Sequence, residues 1–456
     1  MLRTRDFAEP TVALGAEQAL EPPPPGPQIR LVAPRVDAVV RESIQLVAET
    51  EPVVPGETEY LIPGFKGWTP VQGNGGRWEA VVPAPPTPGR HFLAVQFKGE
   101  NGAVVWAHAA FRVAGEKVQE VWAKDLGSAI QGAPAIWRDL VIVPTRERGV
   151  YALRLTDGEV VWRRSVEPGQ VLGRAAVDGG AVFYGAGRVV YACEARTGRL
   201  LWQTPVKGTM VAGLTASAGR VYAPAGENRL YCLDACDGKT RWEYAVDLPI
   251  LMEPVVGGGK VFFGAMDGFF RALDDATGEE VWKHELSTRG DGYPSAPYWP
   301  PALVGDKVIV SKRPARKEEK SLIAFRAASG KIIWSRQAPG FPSRLAVSPE
   351  QDRLYAFGSQ EGRPGLQCLS VEDGAVLWRQ VNGVGMYAAV AGRDEVVVRD
   401  AANSLCCVEA DTGAVKWLYR VSLGPQGSLY GASSLAVKDN LAVVGTMDGQ
   451  VLALKW

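Results

Sequence analysis

Apolar and polar positions repeat along most of the chain with a period near 40 residues. Each unit has a short apolar run containing a small residue, then an x-Gly pair, then two or three mostly apolar residues and a tryptophan. One unit reads Tyr191-Ala192-Cys193, Thr197-Gly198, Trp202. From Trp122 to Trp456 the spacings are 40, 40, 40, 40, 52, 44, 39 and 39 residues. Such a period indicates a repeat architecture.

Each unit contains four short strand candidates, which in the second unit are 174–177, 181–184, 189–193 and 200–203. The x-Gly pair supplies the positive φ that a tight turn between the third and fourth strands needs. Strands that are apolar on consecutive residues indicate sheets covered on both faces. Four antiparallel strands in every 40 residues predict the blade of a β-propeller.

The two ends of the repeat region determine the expected blade count. There are eight third-strand segments, and the last, 451–454, has no fourth strand after it. Residues 118–126 look like a fourth strand without a third strand before them. We therefore predict an all-β chain whose residues 116–456 form an eight-bladed propeller. Strand 118–126 would pair with the C-terminal strand, which leaves no exposed edge there.

Residues 28–115 lack the repeat and carry alternating apolar runs. The stretch 88–97, the turn Glu100-Asn101-Gly102 and the stretch 104–113 look like the final hairpin of an immunoglobulin-like or fibronectin-III-like β-sandwich. We predict such a domain here. Residues 1–27 include four consecutive prolines and are expected to be a disordered leader, and they contain no apolar stretch long enough for a signal peptide.

The element Ala272-Leu273-Asp274-Asp275-Ala276-Thr277-Gly278 with Trp282 resembles the tryptophan-docking motif of the PQQ-type, quinoprotein-like propeller repeat. The resemblance covers about 118–456. WD repeats fit poorly because no Trp-Asp dipeptide closes the third strand, and kelch repeats lack their Gly-Gly pair. The resemblance implies a structural role, packing on the neighbouring blade, for eight tryptophans: Trp122, Trp162, Trp202, Trp242, Trp282, Trp334, Trp378 and Trp417.

Composition narrows the function classes. Lys+Arg 50 balances Asp+Glu 50, so no net field attracts nucleic acid. No apolar run reaches the roughly 18 residues of a membrane span. Cys232, Cys368 and Cys407 occupy the slot that alanine fills in other units, which predicts small buried core residues. We expect no metal site.

Two main function classes stay open. The favoured one is a non-catalytic scaffold or protein-interaction module, as in BamB-like members of the repeat class, monomeric, with a protein partner and without a cofactor. The alternative is a PQQ-dependent dehydrogenase of alcohols or sugars. For it the resemblance implies a quinone on the propeller axis, with Ca²⁺ held by Glu, Asn or Asp. The Cys406-Cys407 pair resembles the vicinal disulfide of quinoprotein alcohol dehydrogenases, although neighbouring strand residues point to opposite faces.

A third class is an accessory module of a metallophosphoesterase-type system. Its catalytic centre needs several His and Asp ligands, and this chain has three histidines, none in such a motif. The family resemblance suggests a periplasmic or extracellular location, whereas the absence of a visible signal peptide keeps a cytoplasmic one open.

Two loops depart from the 40-residue period, at 285–299 and 312–320, and both are expected on one face. Aromatic side chains beside cations suit a partner-binding surface, although a solvated loop that tolerates insertion explains them equally. The candidates are Tyr293, Tyr298, Trp299, Lys312, Arg313, Arg316 and Lys317. Near the first strands, Arg174, Glu253 and Arg344 are expected to approach the central channel and are candidates for a small-molecule or cofactor pocket.

Overall fold

A computed structural model describes residues 27–456 except 37, 64, 167–169, 227, 287–298, 313–319, 338–343, 361–362, 381–385, 401–403 and 422–434. Every regular element in this part of the chain is a β-strand. The chain divides into two compact units. The first comprises the chain up to Ala38, Glu42–Pro83 and Phe92–Phe111. The second comprises Val39–Arg41, Ala84–His91 and Arg112–Trp456.

Eight strands precede the propeller repeat and pair in the order β1-β3-β6-β5-β4-β7-β8-β2. Their bounds are β1 Gln28–Ala33, β2 Ala38–Val40, β3 Ser43–Glu51, β4 Gly56–Ile62, β5 Lys66–Asn74, β6 Arg77–Pro83, β7 Gly89–Gly99 and β8 Val104–Val113. The Asn101-Gly102 turn joins β7 and β8, with Gly102 at φ +81°.

The predicted immunoglobulin-like sandwich is wrong, because this sheet is a single curled half-barrel. In a sandwich, two separate sheets pack face to face. Here β5 pairs with both β4 and β6, and these pairings join all the strands into one sheet. Its buried face carries alternate residues such as Leu93, Val95 and Phe97, all with 0% exposure.

The second unit starts its repeat with β9 (Gln119–Asp125). Blades 1 to 3 follow, with four strands each. Blade 1 contains β10 Ala135–Trp137, β11 Leu140–Thr145, β12 Gly149–Arg154 and β13 Val160–Arg164, and blade 2 contains β14 Ala176–Asp178, β15 Ala181–Ala186, β16 Val189–Glu194 and β17 Leu200–Pro205. Blade 3 contains β18 Thr215–Ser217, β19 Arg220–Ala225, β20 Arg229–Asp234 and β21 Thr240–Ala245.

Blades 4 to 6 also have four strands each. Blade 4 contains β22 Val255–Gly257, β23 Lys260–Gly264, β24 Phe269–Asp274 and β25 Glu280–Glu285, and blade 5 contains β26 Ala302–Val304, β27 Lys307–Ser311, β28 Leu322–Arg326 and β29 Ile332–Arg336. Blade 6 contains β30 Ala346–Val347, β31 Arg353–Gln360, β32 Arg363–Ser370 and β33 Val376–Gln380. The last strands are β34 Met386–Ala391, β35 Glu395–Asp400, β36 Ser404–Glu409, β37 Val415–Arg420, β38 Leu435–Lys438, β39 Leu441–Gly445 and β40 Gln450–Lys455.

The prediction of eight blades is wrong. Among the described residues the propeller has seven blades, namely blades 1 to 6 and a closing blade of order β38-β39-β40-β9. The four strands β34–β37 belong instead to a larger sheet, which continues past β37 to the segment Ala84–His91 of the same unit. Strand β37 pairs in parallel with the start of β7 through Arg420 and Gly89, and Arg420 N–H donates to Pro88 O at 2.9 Å. The sheet therefore does not end at β37.

The closing blade joins distant parts of the chain. Strand β9 pairs antiparallel with β40, and Trp122 lies opposite Ala453. First strands of successive blades contact one another from β10 to β30, and β34 of the larger sheet lies between β30 and β38. The first strands therefore line the middle of the ring.

Seven tryptophans link each sheet to the next. In each case the indole Nε1–H donates to a backbone carbonyl of the following sheet at 2.8–3.2 Å. The cross-strand neighbour of the tryptophan is a small residue, as with Ala192 opposite Trp202 and Cys368 opposite Trp378. Trp417, in the larger sheet, departs from this arrangement, because its buried Nε1 has no hydrogen-bond partner in the described part of the chain.

A glycine of the following sheet lies under each of these seven indoles. A Cβ added at that glycine would lie 2.5–2.7 Å from the ring. The pairs are Trp122 with Gly158, Trp162 with Gly198, Trp202 with Gly238, Trp242 with Gly278, Trp282 with Gly330, Trp334 with Gly374 and Trp378 with Gly413. The turn glycine is therefore needed both for its positive φ and for the space it leaves.

Candidate functional site

Arg174, Glu253 and Arg344 occupy equivalent positions, each two residues before the first strand of its blade. They precede β14, β22 and β30. Because first strands contact one another around the ring, repeat-equivalent positions in separate blades converge there. Residues 79 and 91 positions apart in sequence are therefore brought together. We refer to these three side chains as the axial cluster.

Glu253 lies between the two arginines of the axial cluster. Arg174 Nη1 is 3.5 Å from Glu253 Oε1, and Arg344 Nη2 is 3.4 Å from Glu253 Oε2. Both contacts are longer than the 2.7–2.9 Å of a tight charge-assisted hydrogen bond. The Glu253 side chain is 14% exposed, that of Arg344 22% and that of Arg174 39%. Arg174 is thus the member most open to solvent.

Gly213 allows the carboxylate to reach Arg174. It occupies the equivalent position in blade 3, between the blades that carry Arg174 and Glu253. A Cβ built at Gly213 would lie 3.2 Å from Glu253 Oε2 and 3.2 Å from Arg174 Cβ. Thr215 Oγ1 donates to Pro254 O at 2.5 Å, which ties the backbone beside Glu253 to blade 3. Sequence reasoning missed Gly213 because its contribution is the lack of a side chain.

The electrostatics of the axial cluster follow from this crowding. Burial lowers the pKa of Arg344 below its ordinary value; the nearby Glu253 carboxylate opposes this shift, and the Arg174 guanidinium adds to it. Arginine nevertheless remains charged at any physiological pH. Two cations thus share one anion at the middle of the ring.

These residues do not fit the Ca²⁺ that the dehydrogenase alternative requires. Ca²⁺ takes six to eight oxygen ligands, whereas both oxygens of Glu253 face guanidinium groups that would repel the cation. The described residues contain no group of three or more His, Cys, Asp or Glu side chains that could hold a metal ion.

Five of the six cysteines are buried, and Cys236 is exposed. All six are free thiols. Cys406 and Cys407 pack into two different hydrophobic clusters on opposite faces of β36. Burial raises the pKa of Cys407 to about 12, so its thiol stays protonated at neutral pH.

Most of the predicted aromatic and basic patch lies outside the described residues. This applies to Tyr293, Tyr298, Arg313, Arg316 and Lys317. Of the remaining two candidates, Trp299 is half-buried. Lys312 is buried, at 3% exposure, and its Nζ donates to Leu286 O. Lys312 therefore lies in the interior and does not present its charge on a loop surface.

The fold and the repeated tryptophan contacts define a β-propeller of the PQQ-like repeat class. A family profile described as outer membrane protein assembly factor BamB matches residues 94–203, 185–346 and 318–456. The chain belongs to this family. No curated protein matches it in sequence. In the described part of the chain no helix is long and apolar enough to cross a membrane.

Solved structures share the propeller fold at low sequence identity. BamB from Moraxella catarrhalis is 20% identical, with a TM-score of 0.62, over 74% of this chain and 100% of that chain. The computationally designed Ika8 protein is 17% identical, with a TM-score of 0.60 and the same coverage. Quinohemoprotein alcohol dehydrogenase ADHIIG from Pseudomonas putida HK5 is 13% identical, with a TM-score of 0.57, over 74% and 76% of the two chains.

Proposed function

We propose that this chain is a non-catalytic protein-interaction module, in which the propeller is the scaffold and the axial cluster contacts the partner. The family description is that of an assembly factor, and a propeller of this family supports a scaffold or interaction role. The observation that carries the proposal is the axial cluster itself. It offers two guanidinium groups for recognition, and its one carboxylate lies between them.

The surroundings of two histidines and of the buried cysteines support binding over chemistry. Burial lowers the pKa of His91, and its Nε2 lies 2.7 Å from Thr87 O. Burial also lowers the pKa of His284, whose ring packs edge-on against Phe325. Burial raises the pKa of Cys232 and of Cys368 to about 12. A nucleophilic cysteine needs the opposite shift.

The chemistry of the partner follows from Arg174. This guanidinium is 39% exposed and touches Glu253 only at 3.5 Å. Guanidinium groups bind carboxylates through two parallel hydrogen bonds, and such pairs give specificity as well as affinity. We therefore assign the partner an Asp or Glu side chain that replaces part of the loose contact between Arg174 and Glu253.

Affinity capture with matched variants tests the proposal. Tagged wild type and Arg174→Glu are incubated with an extract of the source organism, and stoichiometric partners are identified by mass spectrometry. We expect at least one partner that the wild type retains and that Arg174→Glu loses at least tenfold. Arg199→Glu makes the same charge change at an exposed site in blade 2 and should retain the partner.

Two outcomes would contradict the proposal. One is that no protein is retained in stoichiometric amount; the other is that Arg174→Glu and Arg199→Glu capture the same partner equally well. Trp299→Ala, run in parallel, tests the aromatic and basic patch. If only this variant lost the partner, the docking surface would include Trp299 and not the axial cluster.

A further inference from the structure

An exposed pair of indoles lies on the curled sheet of the first unit. Trp68 in β5 is 39% exposed and Trp106 in β8 is 57% exposed. Their ring centroids are 5.2 Å apart, with an angle of 66° between the planes. The sheet order β5-β4-β7-β8 places two strands between them. The indoles therefore reach toward each other across the sheet and form a right-angled aromatic shelf.

A polar group lies on the two strands that the shelf spans. Gln96 of β7 donates through Nε2 to Glu59 Oε2 of β4 at 2.6 Å, and Lys98 Nζ lies 2.7 Å from the same oxygen. In the pairing of β4 with β7, Glu59 lies opposite Gln96 and Leu61 lies opposite Ala94. Residues i and i+2 of a strand share a face, so Leu61, Ala94 and the polar group lie side by side.

We infer that the Trp68–Trp106 shelf is a binding site for a neutral oligosaccharide. A sugar ring has an apolar C–H face and a rim of hydroxyl groups. Indole rings offer rigid surfaces on which the C–H face can pack. Carboxylate, amide and ammonium groups can form hydrogen bonds with the hydroxyl groups. Gln96 is 6% exposed and held by Glu59, so the polar group is set in place before a ligand binds.

Other occupants fit the shelf less well. A stable protein interface needs about 800 Å² on each partner. Two indoles exposed at 39% and 57% supply a minor part of that area, since a fully buried aromatic contributes roughly 150–250 Å². An anionic lipid surface is disfavoured because the Glu59 carboxylate lies beside the shelf. The side chain Nζ of Lys98 is already paired with that carboxylate.

Isothermal titration calorimetry with the full chain tests the site. The probes are cellohexaose, maltohexaose, xylohexaose and chitohexaose at up to 10 mM. We expect at least one to bind, and we expect both Trp68→Ala and Trp106→Ala to weaken that binding at least tenfold. Trp106→Phe keeps an aromatic face and should recover part of the affinity. Val81→Ala, a substitution at a 70% exposed position of the same unit, should bind like the wild type.

Three results would overturn the inference. They are no measurable heat with any of the four probes, binding that persists in the Trp68→Ala/Trp106→Ala double variant, and concentration-dependent self-association that this double variant abolishes. Thermal melting of each variant accompanies the titration. The Trp106→Phe result keeps the test decisive if an alanine variant fails to fold.

Discussion

The tryptophans of the propeller and those of the first unit's sheet share a side chain and differ in what surrounds it. Trp162 and Trp202 are 8% exposed, with Nε1 bonded to a carbonyl of the next sheet. Trp106 is 57% exposed and contacts another indole at the surface. A buried, hydrogen-bonded indole thus joins neighbouring sheets, whereas an exposed pair is available to a ligand.

The strongest test of this comparison is to remove one indole from each region. Trp202→Ala removes a ring that covers Gly238 and a hydrogen bond to Ala235 O. We expect the free energy of unfolding to fall by about 3–5 kcal/mol, the usual cost of emptying a buried aromatic site. Trp106→Ala should change it by about 0.5 kcal/mol or less, because the ring is mostly solvated. Urea unfolding of both variants measures the difference, and equal losses would refute the comparison.

Two glycines with the same backbone conformation test whether the buried indole depends on the glycine beneath it. Gly238 and Gly219, both in blade 3, have φ of +73° and +74°. A Cβ at Gly238 would lie 2.5 Å from Trp202, whereas a Cβ at Gly219 would meet nothing within 4 Å. Gly219→Ala should cost about 1–2 kcal/mol from the left-handed backbone alone.

Gly238→Ala should cost more than Gly219→Ala, because the ring must also move. Melting temperatures measured under identical conditions give the difference between the two variants. If both variants lose the same stability, the indole does not depend on the glycine beneath it, and the glycine serves the turn only.

The axial cluster has different residues at equivalent positions of the blades, with arginine in two blades and glutamate in one. Glu253→Gln removes the charge that separates Arg174 from Arg344 and keeps the shape of the side chain. We expect a loss of about 1 kcal/mol, since the contacts are long and partly solvated. Urea unfolding at low and high salt checks this prediction. The loss should shrink at high salt, where the repulsion between the two guanidinium groups is screened. A loss independent of salt would contradict an electrostatic role.

The smallest expected effect concerns acid. The backbone N–H of Thr277, and then that of Ala276, lower the pKa of Asp274 below its ordinary value. A carboxyl whose pKa is depressed in the folded state stabilises the fold above its unfolded pKa of about 3.9, and this stability is lost as the pH falls through the folded pKa. Asp274→Asn should therefore flatten the decline in melting temperature between pH 6 and pH 3.

Asp178→Asn is the matched control for the acid prediction, because it makes the same change in strand β14 and not in an x-Gly turn. Asp274→Asn should flatten the acid decline more than Asp178→Asn does. An unchanged acid decline in Asp274→Asn would show that the turn carboxylate does not contribute to acid sensitivity.

The propeller strands could be predicted because the same residue pattern recurs at regular spacing along the sequence. The expected strands 189–193 and 200–203 correspond to Val189–Glu194 and Leu200–Pro205. The blade count failed because spacing along the chain carries no information on whether an outer strand edge is free. The pairing of Arg420 with Gly89 connects residues more than 300 positions apart.

The first unit was harder to predict because its strand β5 lacks a continuous apolar signal. Strand β5 contains Gly67, Pro70 and Gly73, and most of its residues are exposed. Strand β5 pairs with both β4 and β6, so without it the strands on its two sides are not joined into one sheet. Trp68 and Trp106 were missed as a site because their proximity depends on the order of four strands. The axial residues were accessible to sequence reasoning since equivalent positions of a ring must converge.

Titration with a quinone distinguishes the proposed recognition scaffold from a quinone enzyme. PQQ is titrated into the purified chain in the presence of Ca²⁺, with calorimetry, the quinone absorption spectrum and dye-linked oxidation of alcohols and sugars recorded on the same sample. We expect no stoichiometric heat, no spectral shift and no oxidation. Stoichiometric PQQ binding that supports oxidation, and that Glu253→Ala abolishes, would contradict the scaffold proposal.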